Sequence, residues 1–356
     1  MIFATIIYKF IIPKRGTSEA YLIGYGVIIP TALFTTYAIV SVCDIHNTVA
    51  RFSIGLPTLT LFRCLEAMHS VALPTQENSL SNYLLYNGTI CEGIIFDDKT
   101  KAPQKIERTE LFRKMANVVI KMSVLIFLYS ILGPYNFRPF EVSTEHRRAL
   151  FILKIFHPLH LANNFLGAVT YQVLLEFSIE LVALSINLMG INTRDSFHNP
   201  LLLATSPSDF WAKRWNMYVQ SLLKKGIYKP VTKASSKSLG VLATFFASGM
   251  MHEFVWMLKF TPTATQAMNA TDKQNFYPTH GRTTIFFLWN AMLIILEKIL
   301  ARRTFFQSTT MRLPRPLITF LVVISTLPLA NLMLYDLING HVFEHHMMTV
   351  PLIVRI

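Results

Sequence analysis

Charge is scarce in this chain. Of its 356 residues only 15% are Asp, Glu, Lys or Arg, against about 25% in an average soluble domain. Acid is scarcer still, with 20 acidic residues against 33 basic ones. Cysteine is nearly absent: Cys43, Cys64 and Cys91 lie far apart and form no CxxC pair. That pattern excludes a disulfide framework and reads the three as packing residues rather than ligands or nucleophiles. No internal repeat, low-complexity tract or long polar stretch suggests a separate soluble domain. A cleavable signal peptide is not evident, because Lys14 and Arg15 follow the apolar residues 1–13 instead of preceding them.

Apolar residues are abundant: they make up 52% of the chain, and the mean hydropathy is +0.40. A helix needs about 20 apolar residues to cross a bilayer. Residues 20–43, 52–73, 115–133, 165–190, 238–259, 283–300 and 316–337 qualify, with residues 1–13 a short eighth candidate. Residues 149–163 are apolar but interrupted by Lys154, His157, Pro158 and His160, which reads as an interfacial or re-entrant segment. Lipid offers no partner to an open backbone, so such spans are helical. The expected fold is all-α, a polytopic transmembrane helical bundle of about eight spans, with residues 1–356 as one integral membrane domain.

Basic residues orient these spans. Clusters lie at Lys14 and Arg15, at Lys99 to Lys114, at Lys213 to Lys237, and at Arg302 to Arg315. Crossing the seven longer spans in order puts all four clusters on one side, which is therefore cytosolic. Anionic lipid facing these loops accounts for most of the net charge of +13. A nucleic-acid partner is not expected, since no basic domain is interleaved with exposed aromatics.

Two segments hold polar groups in unusual surroundings. The first is His252, within Gly249-Met250-Met251-His252-Glu253-Phe254 and about two-thirds of the way along the span 238–259. At 1.5 Å per residue this is roughly 20 Å from the cytosolic end, a depth at which ionisable groups are costly and usually functional. The alternative is a histidine that hydrogen-bonds a neighbouring helix. Ser248 and Gly249, one turn earlier on the same face, suit either a substrate beside the ring or close helix packing. The second segment runs from Asn199 to Asn216. Ser206 or Ser208 before Asp209, with Pro207, looks like a helix start. Phe210, Trp211, Trp215, Tyr218 and Leu222 follow as an apolar stripe at helical spacing, flanked by Lys213, Arg214, Lys224 and Lys225. That stripe reads equally as an amphipathic helix on anionic lipid or as part of a functional site.

Taken together, these residues resemble a known family. Thr205-Ser206-Pro207-Ser208-Asp209-Phe210-Trp211-Ala212-Lys213-Arg214-Trp215-Asn216 is similar to the T-S-L-x-D-F-W-G-R-R-W-N motif of the wax synthases (long-chain-alcohol O-fatty-acyltransferases) of the membrane-bound O-acyltransferase superfamily. Phe245-Phe246-Ala247-Ser248-Gly249-Met250-Met251-His252-Glu253 resembles that family's F-x-V-S-G-L-M-H-E. The likeness covers about residues 196–260; residues 1–195 match in span pattern alone. Ala212 stands where the family has Gly, and Lys213 where it has Arg, which keeps the charge and loses a planar fork.

The resemblance implies a helical bundle, seated in the endoplasmic reticulum, that admits acyl-CoA from the cytosol and a lipid alcohol from the membrane. It implies His252 and Asn216 as the catalytic pair, with Asp209, Phe210, Trp211, Lys213, Arg214, Trp215 and Ser248 around the substrates. An alcohol is a poor nucleophile, and a neutral imidazole can take its proton as it attacks a thioester. The Asn216 amide would stabilise the oxyanion or orient His252. Lys213, Arg214, Lys224 and Lys225 suit the phosphates of CoA. No cofactor is expected, acyl-CoA being a co-substrate. No metal is expected either, because His157 and His160, like His341, His345 and His346, lack partnering ligands in a recognisable order. The implied reaction is esterification of a long-chain alcohol. Relatives with these motifs also accept sterols, other terpenoid alcohols or diacylglycerol. A transporter is the non-enzymatic rival, but no paired half-repeats are present.

The orientation is testable by glycan mapping. Asn269-Ala270-Thr271 is expected in the lumen and Asn87-Gly88-Thr89 in the cytosol, where it stays unmodified. Glycan on Asn87 but not on Asn269 reverses the topology.

Overall fold

The computed structural model describes residues 2–43, 59–69, 77–88, 93–97, 99–100, 102–141, 151–260, 279–301 and 313–343. Cys91, the Asn269 acceptor site, Arg302, Arg303, Arg312, His345 and His346 lie outside these residues. The principal helices are α1 (Ser18–Val42), α2 (Leu59–Met68), α3 (Leu80–Gly88), α4 (Arg108–Leu132), α5 (Pro158–Leu188), α6 (Lys237–Phe260), α7 (Arg282–Leu300), α8 (Arg315–Thr326) and α9 (Ala330–Asn339). Among the described residues five helices are long and apolar enough to cross a membrane, or six if α8 and α9, bent by 66°, count as one span. This is a multi-pass, all-helical integral membrane protein, and extended backbone pairs only at three isolated bridges among the described residues.

Eight spans are not reached among these residues. Of the run 52–73, residues 59–69 are described and hold α2, whose Arg63 and Glu66 are buried. Residues 2–14 are split between an α-turn, a π-turn at Ile7–Ile11 and a 3-10 turn, with Lys9 inside the apolar run. The expected interfacial or re-entrant segment is corrected in part: residues 158–163 are the first turns of α5. Pro158 starts that helix instead of breaking it, since proline suits a position whose N–H would go unbonded anyway.

The chain divides into two compact units. The first comprises Met1–Glu107, Ser185–Asp195 and Tyr218–Pro278; the second comprises Arg108–Leu184, Ser196–Met217 and Thr279–Ile356. Within the first, α2 supplies Phe62, Cys64, Leu65, Ala67 and Met68 to a core shared with Ile7, Ile11, Ile28, Tyr83, Leu222 and Leu223. Ala247 and Met251 of α6 pack against that core, which fixes the rotation of the helix carrying His252. Gly24 of α1 faces Met68, and a Cβ there would collide with the thioether.

One polar network sits inside this unit. Glu66 pairs with Arg63 at 3.1 Å and Lys225 at 3.2 Å, and accepts the Tyr86 hydroxyl at 3.2 Å. The Arg63 guanidinium lies 3.5 Å from the centre of the Tyr86 ring. Lys225 is thus held inward, while its neighbour Lys224 is exposed.

In the second unit the chain bends by 66° between α8 and α9, and side chains of α5 reach the carbonyls at the bend. Asn164 donates to the Leu327 carbonyl at 2.8 Å, and the His160 ring lies 3.3 Å from the Pro328 carbonyl. These two side chains, one turn apart on α5, stabilise the break.

Glu66→Ala tests the network. Removing one partner leaves buried charge behind, and such losses cost about 3–5 kcal/mol. The purified protein should show a lower unfolding temperature, with Glu66→Gln intermediate. An unchanged unfolding temperature would contradict the role given to Glu66.

Candidate active site

The motif segment forms a tight turn in the second unit. The Ser206 hydroxyl accepts from the Asp209 N–H at 3.1 Å, and Pro207 occupies the first helical position, as the sequence led one to expect. Asp209 Oδ2 then accepts three times: from Thr205 N–H at 3.0 Å, Thr205 Oγ1 at 3.3 Å and Arg214 Nε at 2.6 Å. Phe210–Arg214 is a π-turn, closed by the Trp215 N–H on the Phe210 carbonyl at 2.9 Å. Such turns are rare and recur at functional sites.

Helix stops at Arg214, Trp215 is extended, and Asn216, with a φ of 39°, lies in the left-handed region. Asparagine tolerates this better than other side-chain-bearing residues. A new helix, Met217–Leu223, begins after it. The apolar stripe from Phe210 to Leu222 therefore does not share one helix, and the reading of a continuous amphipathic helix is corrected. Its aromatic rings instead fold together: Phe210 stacks on Trp215 with centroids 5.5 Å apart, and Trp211 packs edge-on to Phe210 at 5.1 Å. Phe210 and Ala204 are buried against Val322 of α8.

Two anchors of this turn escaped the sequence reading. Both oxygens of Glu297 on α7 accept from Ser208, one from its N–H and one from its hydroxyl, each at 2.7 Å. Two helical turns earlier, Asn290 accepts the Trp211 indole N–H at 3.1 Å while its amide donates to the Phe286 carbonyl at 2.9 Å. Asn290 is fully buried. The available signal was a polar residue inside the apolar run 283–300.

Burial disfavours ionisation of Asp209, but Arg214 and Thr205 outweigh it and hold its carboxyl below the ordinary aspartate value. Arg214 also donates to the His198 carbonyl at 3.2 Å, so its guanidinium is engaged in closing the turn. Lys213 and Ala212 are exposed.

His252 and Ser248 belong to the first unit, on α6. The His252 Nδ1 lies 2.7 Å from the Ser248 carbonyl. A carbonyl only accepts, so this bond puts the proton on Nδ1 and makes Nε2 the basic nitrogen of the neutral ring. Ser248, Gly249 and Glu253 are buried, and His252 is half-buried. Gly240 lets the start of α6 approach Tyr228 and Thr232 closely. The expected site residues thus fall into two groups: Asp209 to Asn216 in one turn, and Ser248 with His252 on one helical face.

Comparison with known proteins places both groups in one family segment. Residues 194–271 match the Membrane bound O-acyl transferase family. The chain is 27% identical over 219 residues to the long-chain-alcohol O-fatty-acyltransferase of Simmondsia chinensis, covering 59% of this chain and 56% of that one. It is 27% identical to "Probable long-chain-alcohol O-fatty-acyltransferase 6" of Arabidopsis thaliana, covering 69% of this chain and 64% of that one. Likeness to "Probable long-chain-alcohol O-fatty-acyltransferase 1" of the same plant is 31% over 144 residues, or 38% of this chain and 36% of that one. The chain spans about a third of that last relative's length and over half of the other two. The resemblance to the wax synthases is borne out.

Acid tests the Asp209 clasp. A carboxyl whose folded pKa is lowered stabilises the fold above its unfolded value, about 3.9, and loses that contribution as pH falls through the folded value. Amide exchange of residues 205–216 should stay protected from neutral pH down to about 4 and rise below it. Asp209→Asn should raise exchange already at neutral pH and abolish the acid step. An unchanged exchange profile would contradict the clasp.

Proposed function

We propose that this protein is an acyl-CoA-dependent O-acyltransferase that esterifies a long-chain alcohol to a wax ester, in the endoplasmic reticulum membrane. The observation that carries the reading is the bond from His252 Nδ1 to the Ser248 carbonyl, on an apolar helix and inside the matched segment. It leaves Nε2 as the general base. The alcohol O–H gives its proton to Nε2 as its oxygen attacks the thioester carbonyl. The tetrahedral oxyanion collapses, the C–S bond breaks, and the CoA sulfur takes the proton back from the imidazolium. No acyl-enzyme is formed, so no cysteine or serine nucleophile is assigned.

Asn216 is assigned to the oxyanion or to orienting the histidine, by resemblance to the family motif. Phe210, Trp211 and Trp215 give the turn an apolar wall suited to an acyl chain. Asp209 and Arg214 hold its shape. Lys213, being exposed, is the better placed of the two cations for a CoA phosphate. The likeness to relatives named for long-chain alcohols supports a linear acceptor over a sterol or diacylglycerol.

Expression in a yeast lacking its own neutral-lipid acyltransferases, with alcohols supplied, should yield wax esters. His252→Ala should lower turnover at least ~100-fold, the lower end for a positioned base, with folded protein retained. Near-normal turnover would refute the mechanism. Asn216 separates two roles. Asn216→Gly keeps the left-handed backbone and removes the amide, whereas Asn216→Ala adds backbone strain. An amide role makes both slow; full activity in Asn216→Gly would reduce Asn216 to a backbone role.

A further inference from the structure

Just past the end of α4, in the second unit, the chain presents an exposed cation with no carboxylate partner among the described residues. Asn136 and Phe137 take φ of 48° and 58°, left-handed values uncommon outside glycine. Phe137 is buried and packs on Phe343 and Tyr129, with centroids 4.6 Å and 5.6 Å apart. The Asn163 side chain of α5 grips the backbone of Phe140, accepting from its N–H at 3.1 Å and donating to its carbonyl at 2.8 Å. Arg138 sits between these two anchors, so its backbone is fixed while the residue is exposed.

Other polar groups gather around it. Arg138 and His157 lie within electrostatic reach of the His160 ring, and Arg138 within reach of Tyr335. The Arg282 guanidinium lies 4.1 Å from the centre of the Tyr335 ring. Arg282, like Arg138, pairs with no carboxylate among the described residues. The acids nearest to them in sequence are Glu141, which is exposed, and Asp336, which is fully buried. Desolvation by the surrounding protein lowers the Arg138 pKa from the ordinary arginine value, yet arginine does not lose its proton in proteins. A fixed, partly desolvated guanidinium of this kind suits an external anion, and its planar fork matches phosphate oxygens in pairs.

The surroundings indicate the source of the anion. Tyr135, Phe140, Phe156 and Leu159 are exposed apolar side chains within three residues of Arg138 or His157. Helix α5 has 31 residues, roughly 46 Å at 1.5 Å per residue, against about 30 Å of hydrocarbon. Its ends therefore reach the headgroup layers, where lipid phosphates lie. This end of α4 is the one away from Arg113 and Lys114, luminal in the expected orientation, so the rule that places basic residues in the cytosol does not account for Arg138 and Arg282. A free phosphate would leave the apolar side chains uncovered. A phospholipid supplies the anion and covers them.

We propose that Arg138, assisted by Arg282 at Tyr335, binds the phosphate of a membrane phospholipid whose acyl chains lie along the exposed apolar side chains beside it. None of these residues takes part in the acyl transfer proposed above, so the inference stands without it.

The test uses phosphatidylglycerol carrying a diazirine on one acyl chain, and the diacylglycerol of the same chains, which has no phosphate. Each is photolysed with the full-length protein in lipid-free detergent, and the labelled peptides are mapped. Within residues 131–141 and 151–165 the phospholipid should label at least about tenfold more than the diacylglycerol, the lower end for a hydrogen bond to a charged group. Arg138→Gln should lower phospholipid labelling there by a similar factor. Arg113→Gln, at the other end of α4 and already paired with Glu110, should leave it unchanged. Millimolar inorganic phosphate should not displace the phospholipid. Equal labelling by the two lipids overturns the site, as does undiminished labelling of folded Arg138→Gln. An equal fall in Arg113→Gln reduces the effect to overall charge and also overturns it. Displacement by inorganic phosphate assigns the cations to a free anion and overturns the lipid. If Arg138→Gln fails to fold, Arg282→Gln replaces it: reduced labelling supports the site, and unchanged labelling overturns it.

Discussion

A polar group within the hydrocarbon has no water to bond, so each one needs a partner supplied by the protein. In α6 the partner of His252 is its own helix, through the Ser248 carbonyl. The bond satisfies one nitrogen and at the same time fixes which nitrogen is basic. In α5 the same constraint sets His160 and Asn164 against the carbonyls at the bend between α8 and α9. Between α4 and α5 it gathers Lys121 with two glutamates. In α7 it turns Asn290 toward an indole N–H and the Phe286 carbonyl.

The motif turn obeys the same requirement by another route. A π-turn and a left-handed residue leave its backbone irregular, and side chains of the segment itself supply the missing bonds: Ser206 to Asp209, and Asp209 to Thr205 and Arg214. Glu297 then ties the turn to a long apolar helix. The result is a rigid aromatic surface with Lys213 exposed beside it. Rigidity of this kind is what a positioned catalytic or binding group requires.

Much of this was legible in the sequence, for physical reasons that differ by element. The long apolar helices α1, α4, α5, α6 and α7 were readable because lipid demands an unbroken run of apolar residues. The Ser206 cap was readable because capping is local. The stripe from Phe210 to Leu222 misled, because side-chain spacing does not reveal a backbone reversal at Asn216. Pro158 misled in the opposite sense, since a proline that breaks a helix interior also begins one. Glu297 and Asn290 were not recognisable because their partners Ser208 and Trp211 are distant in sequence. In α2 the apolar run carries Arg63 and Glu66 as a buried pair, which hydropathy does not reveal.

The central claim is that a histidine in an apolar helix moves an acyl group from CoA to a linear lipid alcohol. The most direct measurement gives the purified protein labelled palmitoyl-CoA with hexadecanol, a sterol and diacylglycerol in parallel, and follows ester and CoA together. The expected result is hexadecyl palmitate as the main labelled product, with one CoA released per ester. Steryl ester or triacylglycerol as the main product would contradict the linear acceptor, and the absence of any ester would contradict acyl transfer itself.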